Sequence, residues 1–132
     1  VKEGMQAVGD AFDHAVSAFI EDTEARGLRD QIMLVCTGEM GRTPKINKRG
    51  GRDHWGRLTP LMVYGGGTKG GQVLGQSTKD GGQPATTPVT SKNLISTIMN
   101  TMLDIGEVRV TGGVPKDVLT LLTETKPIPG LS

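Results

Sequence analysis

The residues that could do chemistry are concentrated between 37 and 55, in the stretch TGEMGRTPKINKRGGRDHW. Glu39 lies near one end, and the adjacent pair Asp53 and His54 lies at the other. Carboxylate oxygen and imidazole nitrogen together suit a divalent metal such as zinc or manganese. Five cations, Arg42, Lys45, Lys48, Arg49 and Arg52, lie between them. A guanidinium matches the two-pronged geometry of phosphate or sulfate. A carboxylate, a histidine and arginines around one cleft are a set suited to hydrolysing an oxyanion ester. The same residues also suit a solvated basic loop in which Asp53 and His54 belong to a turn, and composition weighs the two evenly.

Other candidates fall away. Gly65, Gly67 and Gly70 fit the dinucleotide pattern G-x-G-x-x-G after an apolar run. That pattern binds a pyrophosphate only where a helix begins, and no helical period follows it here, so a glycine-rich turn is expected. Lys69 lacks the glycine before it and the Ser or Thr after it that a phosphate-binding loop needs. His14 falls opposite the apolar stripe of its helix, among Asp10, Asp13 and Ser17, as a solvated histidine does. Cys36 sits inside an apolar run, where a thiol acts as a small hydrophobe. No G-x-S-x-G elbow supports an acyl-transfer triad.

The elements that must position the 37–55 stretch can be read from periodicity. Met5, Val8, Phe12, Ala15, Val16, Phe19 and Ile20 recur at steps of three and four, predicting a helix over 5–26 with one apolar face and a stop at Gly27. The run 32–36 reads as a strand buried on both faces, of the kind found in parallel sheets, and 61–64 reads as a second. The basic stretch then leaves the C-terminal end of a parallel strand, where open α/β sheets place their ligands. Its 22 residues, 38–59, show no element of their own. Residues 72–75 allow a short strand, and 77–88 are turn-rich. Thr90 is placed to cap a helix carrying Leu94, Ile95, Ile98, Met99 and Met102 at helical spacing, with Val89 and Leu94 as a hydrophobic staple and Gly106 as its stop. The tail from 108 reads as irregular, with a strand at 118–122. The expected architecture is α/β, with helices packed on a small, mostly parallel sheet.

The chain has 132 residues and a formal charge of +1, which excludes a strongly basic nucleic-acid binder by bulk charge but leaves a local basic patch open. A single cysteine excludes a disulfide framework and any zinc site built on several thiolates. No apolar run approaches the ~20 residues needed to span a bilayer. Phe12, Phe19, Trp55 and Tyr64 are the only aromatic residues, so any core must rest on aliphatic side chains. The opening Val1 runs straight into a helix without initiator Met or leader, which reads as a cut from a longer protein. Cut off from its surroundings, the glycine-rich 38–55 segment buries little against an ordering cost of roughly 1–2 kcal/mol per residue. Unless a second copy orders it, it is expected to be mobile, with no metal at Glu39 and His54.

The segments 38–47 and 51–55, the 65–75 glycine-rich run and Pro88-Val89-Thr90 with the helix after it resemble a bacterial sulfatase-like family of unknown function. That family looks like a distant branch of the alkaline phosphatase and sulfatase superfamily. The resemblance implies a parallel-sheet sandwich with a metal site at the strand ends. Glu39 is similar to the acidic ligand of the strand-end motif, His54 to a later histidine, and residues 59–63 to the strand after it. Met40 stands where that motif carries a second ligand. By this resemblance Glu39 and His54 are metal ligands, and Asp53 is a ligand or the partner that orients His54. Arg42 and Arg52 would bind the ester oxyanion. The intact parent would hold zinc, calcium or manganese, act on a small anionic ester and be exported to the periplasm. The nucleophile and further ligands lie in the N-terminal half of such proteins, so these residues read as an inactive C-terminal part. They would be completed by that missing half or by a second copy. The alternative is a non-catalytic anion- or partner-binding module on the same fold.

Overall fold

The computed structural model describes residues 2–131. Its first element is helix α1 (Lys2–Ala25). The stop read from the sequence is present: Gly27 takes φ +65°, its amide donates to Glu24 O, and the Leu28 amide donates to Thr23 O at 2.9 Å. This closes the last turn as a Schellman motif, which needs the left-handed conformation that glycine adopts without strain. The apolar stripe of α1 is a different matter. Met5, Val8 and Phe12 are exposed, and only the C-terminal end of the helix is tied down. There Thr23 is buried, and its hydroxyl lies 3.0 Å from the Tyr64 hydroxyl, which in turn donates to Glu24 Oε1.

The expectation of a parallel sheet is overturned. Strand β1 (Met33–Thr37) and strand β4 (Leu61–Gly65) pair antiparallel, with Met33 opposite Gly65 and Thr37 opposite Leu61. A second two-stranded antiparallel sheet joins β2 (Gly41–Arg42) to β3 (His54–Trp55). The reason lies in the connection. A parallel neighbour needs a crossover, usually a helix, to carry the chain back to the start of the strand. Residues 38–60 hold no helix and fold into the β2–β3 hairpin. The chain therefore re-enters at the end where it left, and β4 must run the other way. Most of β1 and β4 is half-buried rather than buried on both faces. The alkaline phosphatase-like sandwich of packed parallel strands is not what these residues form.

Beyond β4 the glycine-rich run is a turn, as its sequence indicated. Gly65 sits at φ +77° where a Cβ would overlap the carbonyls of Ile32 and Arg29, and the Gly66 amide donates to both of those oxygens. No strand forms at 72–75. The turn-rich segment after it closes with an isolated bridge between Ser77 and Pro84.

Helix α2 (Ser91–Met102) is capped by Thr90 as its sequence predicts. The Thr90 hydroxyl accepts from the Asn93 amide, and the Asn93 side chain accepts from the Thr90 amide at 2.9 Å, a reciprocal capping box. The helix ends at Met102, so Gly106 is not its stop. Gly106 lies inside α3 (Ile105–Val110), which Asp104 caps. The strand expected at 118–122 is helix α4 (Lys116–Glu124). Val118, Leu119, Leu121 and Leu122 are spaced to share one helical face, and that face packs on α2 and α3.

The core lies between α2, α4 and the C-terminal segment. Leu122 and Ile128 are buried there beside Ser96 and Thr97. The polar pair is satisfied: Ser96 Oγ donates to Thr125 O at 2.6 Å, and Thr97 Oγ1 accepts from the Ile128 amide at 2.8 Å. Hydroxyls pinned to backbone occupy positions that a ring-rich sequence would fill with carbon.

Candidate functional site

The basic stretch has its own scaffold. Arg42 and His54 are direct cross-strand partners, so both side chains project from one face of the β2–β3 hairpin. Gly41 and Trp55 are the next pair, on the other face. Gly41 is buried, and a Cβ there would overlap the Leu58 carbonyl, so only glycine lets the hairpin lie against the chain that leaves it. Trp55 anchors the opposite side. Its indole Nε1 donates to Gly82 O at 2.9 Å, and the Arg57 guanidinium lies 5.7 Å from its ring centroid. The 78–83 turn that receives Trp55 is built on Asp80, which accepts from the Thr78 hydroxyl and the Gly82 amide. Those two bonds, the hydroxyl first, hold the Asp80 carboxyl below the usual carboxylate range.

Both arginines are braced against the hairpin. Arg52 Nη1 donates to Thr43 O at 3.0 Å, and Arg42 Nη1 reaches Arg52 O at 3.5 Å. Each guanidinium uses one N–H on a main-chain carbonyl and keeps others for a ligand. Arg42, Arg52, Asp53 and His54 are all exposed.

Asn47 organises the far end, and its part was not singled out from the sequence. Its Oδ1 accepts from the amides of Arg49 and Gly51, and its Nδ2 donates to Asp53 Oδ1 at 2.8 Å. An asparagine followed at three and four residues by Gly50 and Gly51 is a turn signal, and that is where the missed residue was legible. The Asp53 carboxylate is thus engaged by Asn47, while its amide donates to the Thr43 hydroxyl. Asn47→Ala removes three hydrogen bonds at a half-buried surface site. It is expected to cost the domain only about 1–2 kcal/mol but to loosen the hairpin selectively. Hydrogen exchange should then speed up at the amides of Arg49 and Gly51 and not in β1 or β4.

Glu39 is placed apart from the other four residues. It follows β1 through Gly38, whose carbonyl accepts from the Thr59 hydroxyl at 3.1 Å. It lines a cavity of about 620 Å³ between β4, residues 69–74 and the start of α2, and also a neighbouring cavity of about 390 Å³. Arg42, Arg52, Asp53 and His54 line neither. The hairpin therefore gathers four of the five expected residues, and Glu39 stands at its foot facing the cavities. Among the described residues no three His, Cys, Asp or Glu side chains are grouped closely enough to hold a metal ion. A catalytic zinc takes three protein ligands, so these donors do not fit a metal by themselves.

With this geometry in place, the sequence matches the profile of DUF1501, described as proteins of unknown function, over residues 1–117. The chain belongs to this family. No curated protein and no solved structure matches it. Membership of the family brings no activity with it, and the chemistry of the hairpin rests on its own residues. Of the other candidates, His14 is exposed on α1, and Cys36 is a half-buried free thiol in β1 opposite Met62. Among the described residues no helix is long and apolar enough to cross a membrane.

Proposed function

We propose that the β2–β3 hairpin is an oxyanion-recognition element, and that the chain is the C-terminal part of a metal-dependent phosphoric or sulfuric ester hydrolase. The observation that supports this most is the cross-strand pairing of Arg42 with His54, with Arg52 braced one position before Asp53 on the same hairpin. The Arg42 guanidinium and the His54 imidazole on one exposed face, with the Arg52 guanidinium on the same hairpin, are N–H donors of the kind that match the oxygens of a tetrahedral anion. Donors already held in place stabilise charge that develops on those oxygens without reorganising. The nucleophile, and the donors that would complete a metal site around Glu39 and His54, come in this reading from residues outside the chain.

A second reading is a non-catalytic anion-binding module, for which the exposed arginines of the hairpin suffice without a metal. One experiment separates the two. The complete native polypeptide that carries this sequence is assayed on aryl phosphate and aryl sulfate esters, with and without chelator, and its metal content is measured. Hydrolysis that chelator abolishes and Glu39→Ala or His54→Ala impairs supports the hydrolase. A metal-free, inactive protein that still binds sulfate replaces it with the binding module.

A further inference from the structure

The cavity of about 620 Å³ beside β4 is a slot along an open sheet edge. Strand β4 pairs only with β1, so its other edge carries no ladder. Leu61, Met62 and Val63 line the cavity in succession, although neighbouring side chains of a strand point to opposite faces. Three neighbours along one wall mark that wall as the strand's edge, where its main-chain groups are presented. Among the described residues the backbone of these three makes no hydrogen bond outside the β1–β4 pairing. The opposite wall is residues 69–74, which form no strand. Lys69 follows the turn that closes β4, in which the Thr68 amide donates to Gly65 O. Leu74 lies at the other end, where it shares with Glu39 and Thr59 the boundary to the smaller cavity. The segment therefore runs back beside β4 and leaves a gap along its edge.

The two ends of the slot carry opposite charges. Glu39 stands where β4 begins, two residues beyond the Thr37–Leu61 pair, and Lys69 stands where β4 has ended. Neither side chain forms an ion pair or a hydrogen bond among the described residues, with the other or with anything else. The Lys69 end is tied down: its amide donates to Leu131 O at 3.0 Å, and Gln72 Nε2 donates to Gly130 O at 2.6 Å. Leu94, Ile128 and Leu131 make the lining between the ends aliphatic. We infer that the slot binds a short aliphatic peptide with both termini free. The peptide adds to the β4 edge as a third strand, and its side chains pack on the aliphatic lining. Its α-ammonium meets Glu39 and its terminal carboxylate meets Lys69, so it runs parallel to β4. At about 3.3 Å per residue a tripeptide covers 61–63. Arg42, Arg52, Asp53 and His54 lie outside the slot, so this inference stands or falls apart from the oxyanion reading.

Isothermal titration of the chain with leucyl-alanyl-leucine, its N-acetyl form and its C-terminal amide tests this, with chelator present so that Glu39 acts only as a carboxylate. Saturable one-to-one binding of the free tripeptide is expected, weakened about three- to tenfold by either cap. Glu39→Gln should weaken the free peptide by the same factor and leave the N-acetyl peptide unaffected. Lys69→Gln should do the same with respect to the amide. Both side chains are exposed, so circular dichroism should be unchanged in either variant. Hydrogen exchange at the 61–63 amides should slow when the free peptide is bound. An absence of saturable binding overturns the proposal. So does binding indifferent to both caps, which would reduce the slot to an apolar patch, or exchange that slows only in α1 or the β2–β3 hairpin.

Discussion

If the complete protein is the ester hydrolase proposed above, Arg42→Ala is expected to lower its rate by roughly 100- to 1000-fold, the usual loss when one preorganised donor to a developing oxyanion is removed. In the chain alone the same change should weaken sulfate or phosphate binding about 10- to 100-fold, as expected for charge-assisted hydrogen bonds. Arg42→Lys keeps the charge but loses the planar fork, so it should recover only part of either quantity. The side chain is exposed, and its one internal bond, to Arg52 O, is long at 3.5 Å. Thermal stability should therefore hardly move, and the defect will read as one of binding. Unchanged affinity and rate in Arg42→Ala would remove this residue from the site.

Gly65→Ala is expected to be the most damaging single substitution for folding. The residue is buried at φ +77°, and a Cβ would overlap two carbonyl oxygens, those of Ile32 and Arg29. The left-handed conformation costs an alanine roughly 1–2 kcal/mol, and forcing an extra carbon into a packed site adds roughly 1–3 kcal/mol. A loss of about 2–5 kcal/mol is a large part of the stability of a domain this size. Urea denaturation should show the midpoint falling sharply, and β1–β4 pairing at Met33 should be the first part disturbed. Gly67→Ala is the control. Its φ is also positive, but nothing lies within 4 Å of a Cβ there. It should lose only the conformational part.

These outcomes depend on features that the sequence reveals to different degrees. The α1 period, its Gly27 stop and the Thr90 cap were legible because they are local, each set by residues within about one turn of one another. The direction of β4 was not. An apolar run such as 61–64 looks the same in either direction, and only the path of residues 38–60 decides which way the strand enters. The 118–122 run is short enough to fit both periods, and the helix wins because its four apolar residues gain a common face against α2 and α3. Whether the α1 stripe is covered is a tertiary fact with no local signature. At the site, residue types pointed to Arg42, Arg52, Asp53 and His54, and the hairpin does gather them. Glu39 was grouped with them because it shares their segment, but two residues before β2 is enough to turn it toward the cavities. Asn47 was passed over because an asparagine among cations carries no charge of its own. Its side chain nevertheless holds both Asp53 and the turn.

The most direct measurement is a titration of the isotopically labelled chain with sulfate and then phosphate, followed by NMR. If the hairpin recognises oxyanions, saturable shifts should appear at the Arg42 and Arg52 side-chain N–H groups and at the His54 ring, and Arg42→Ala should abolish saturation. The β1–β4 amides should stay still. Shifts confined to the cavity lining at Lys69, Gln72 and Ser91, with the hairpin unmoved, would contradict the assignment and place the anion site at the foot of α2.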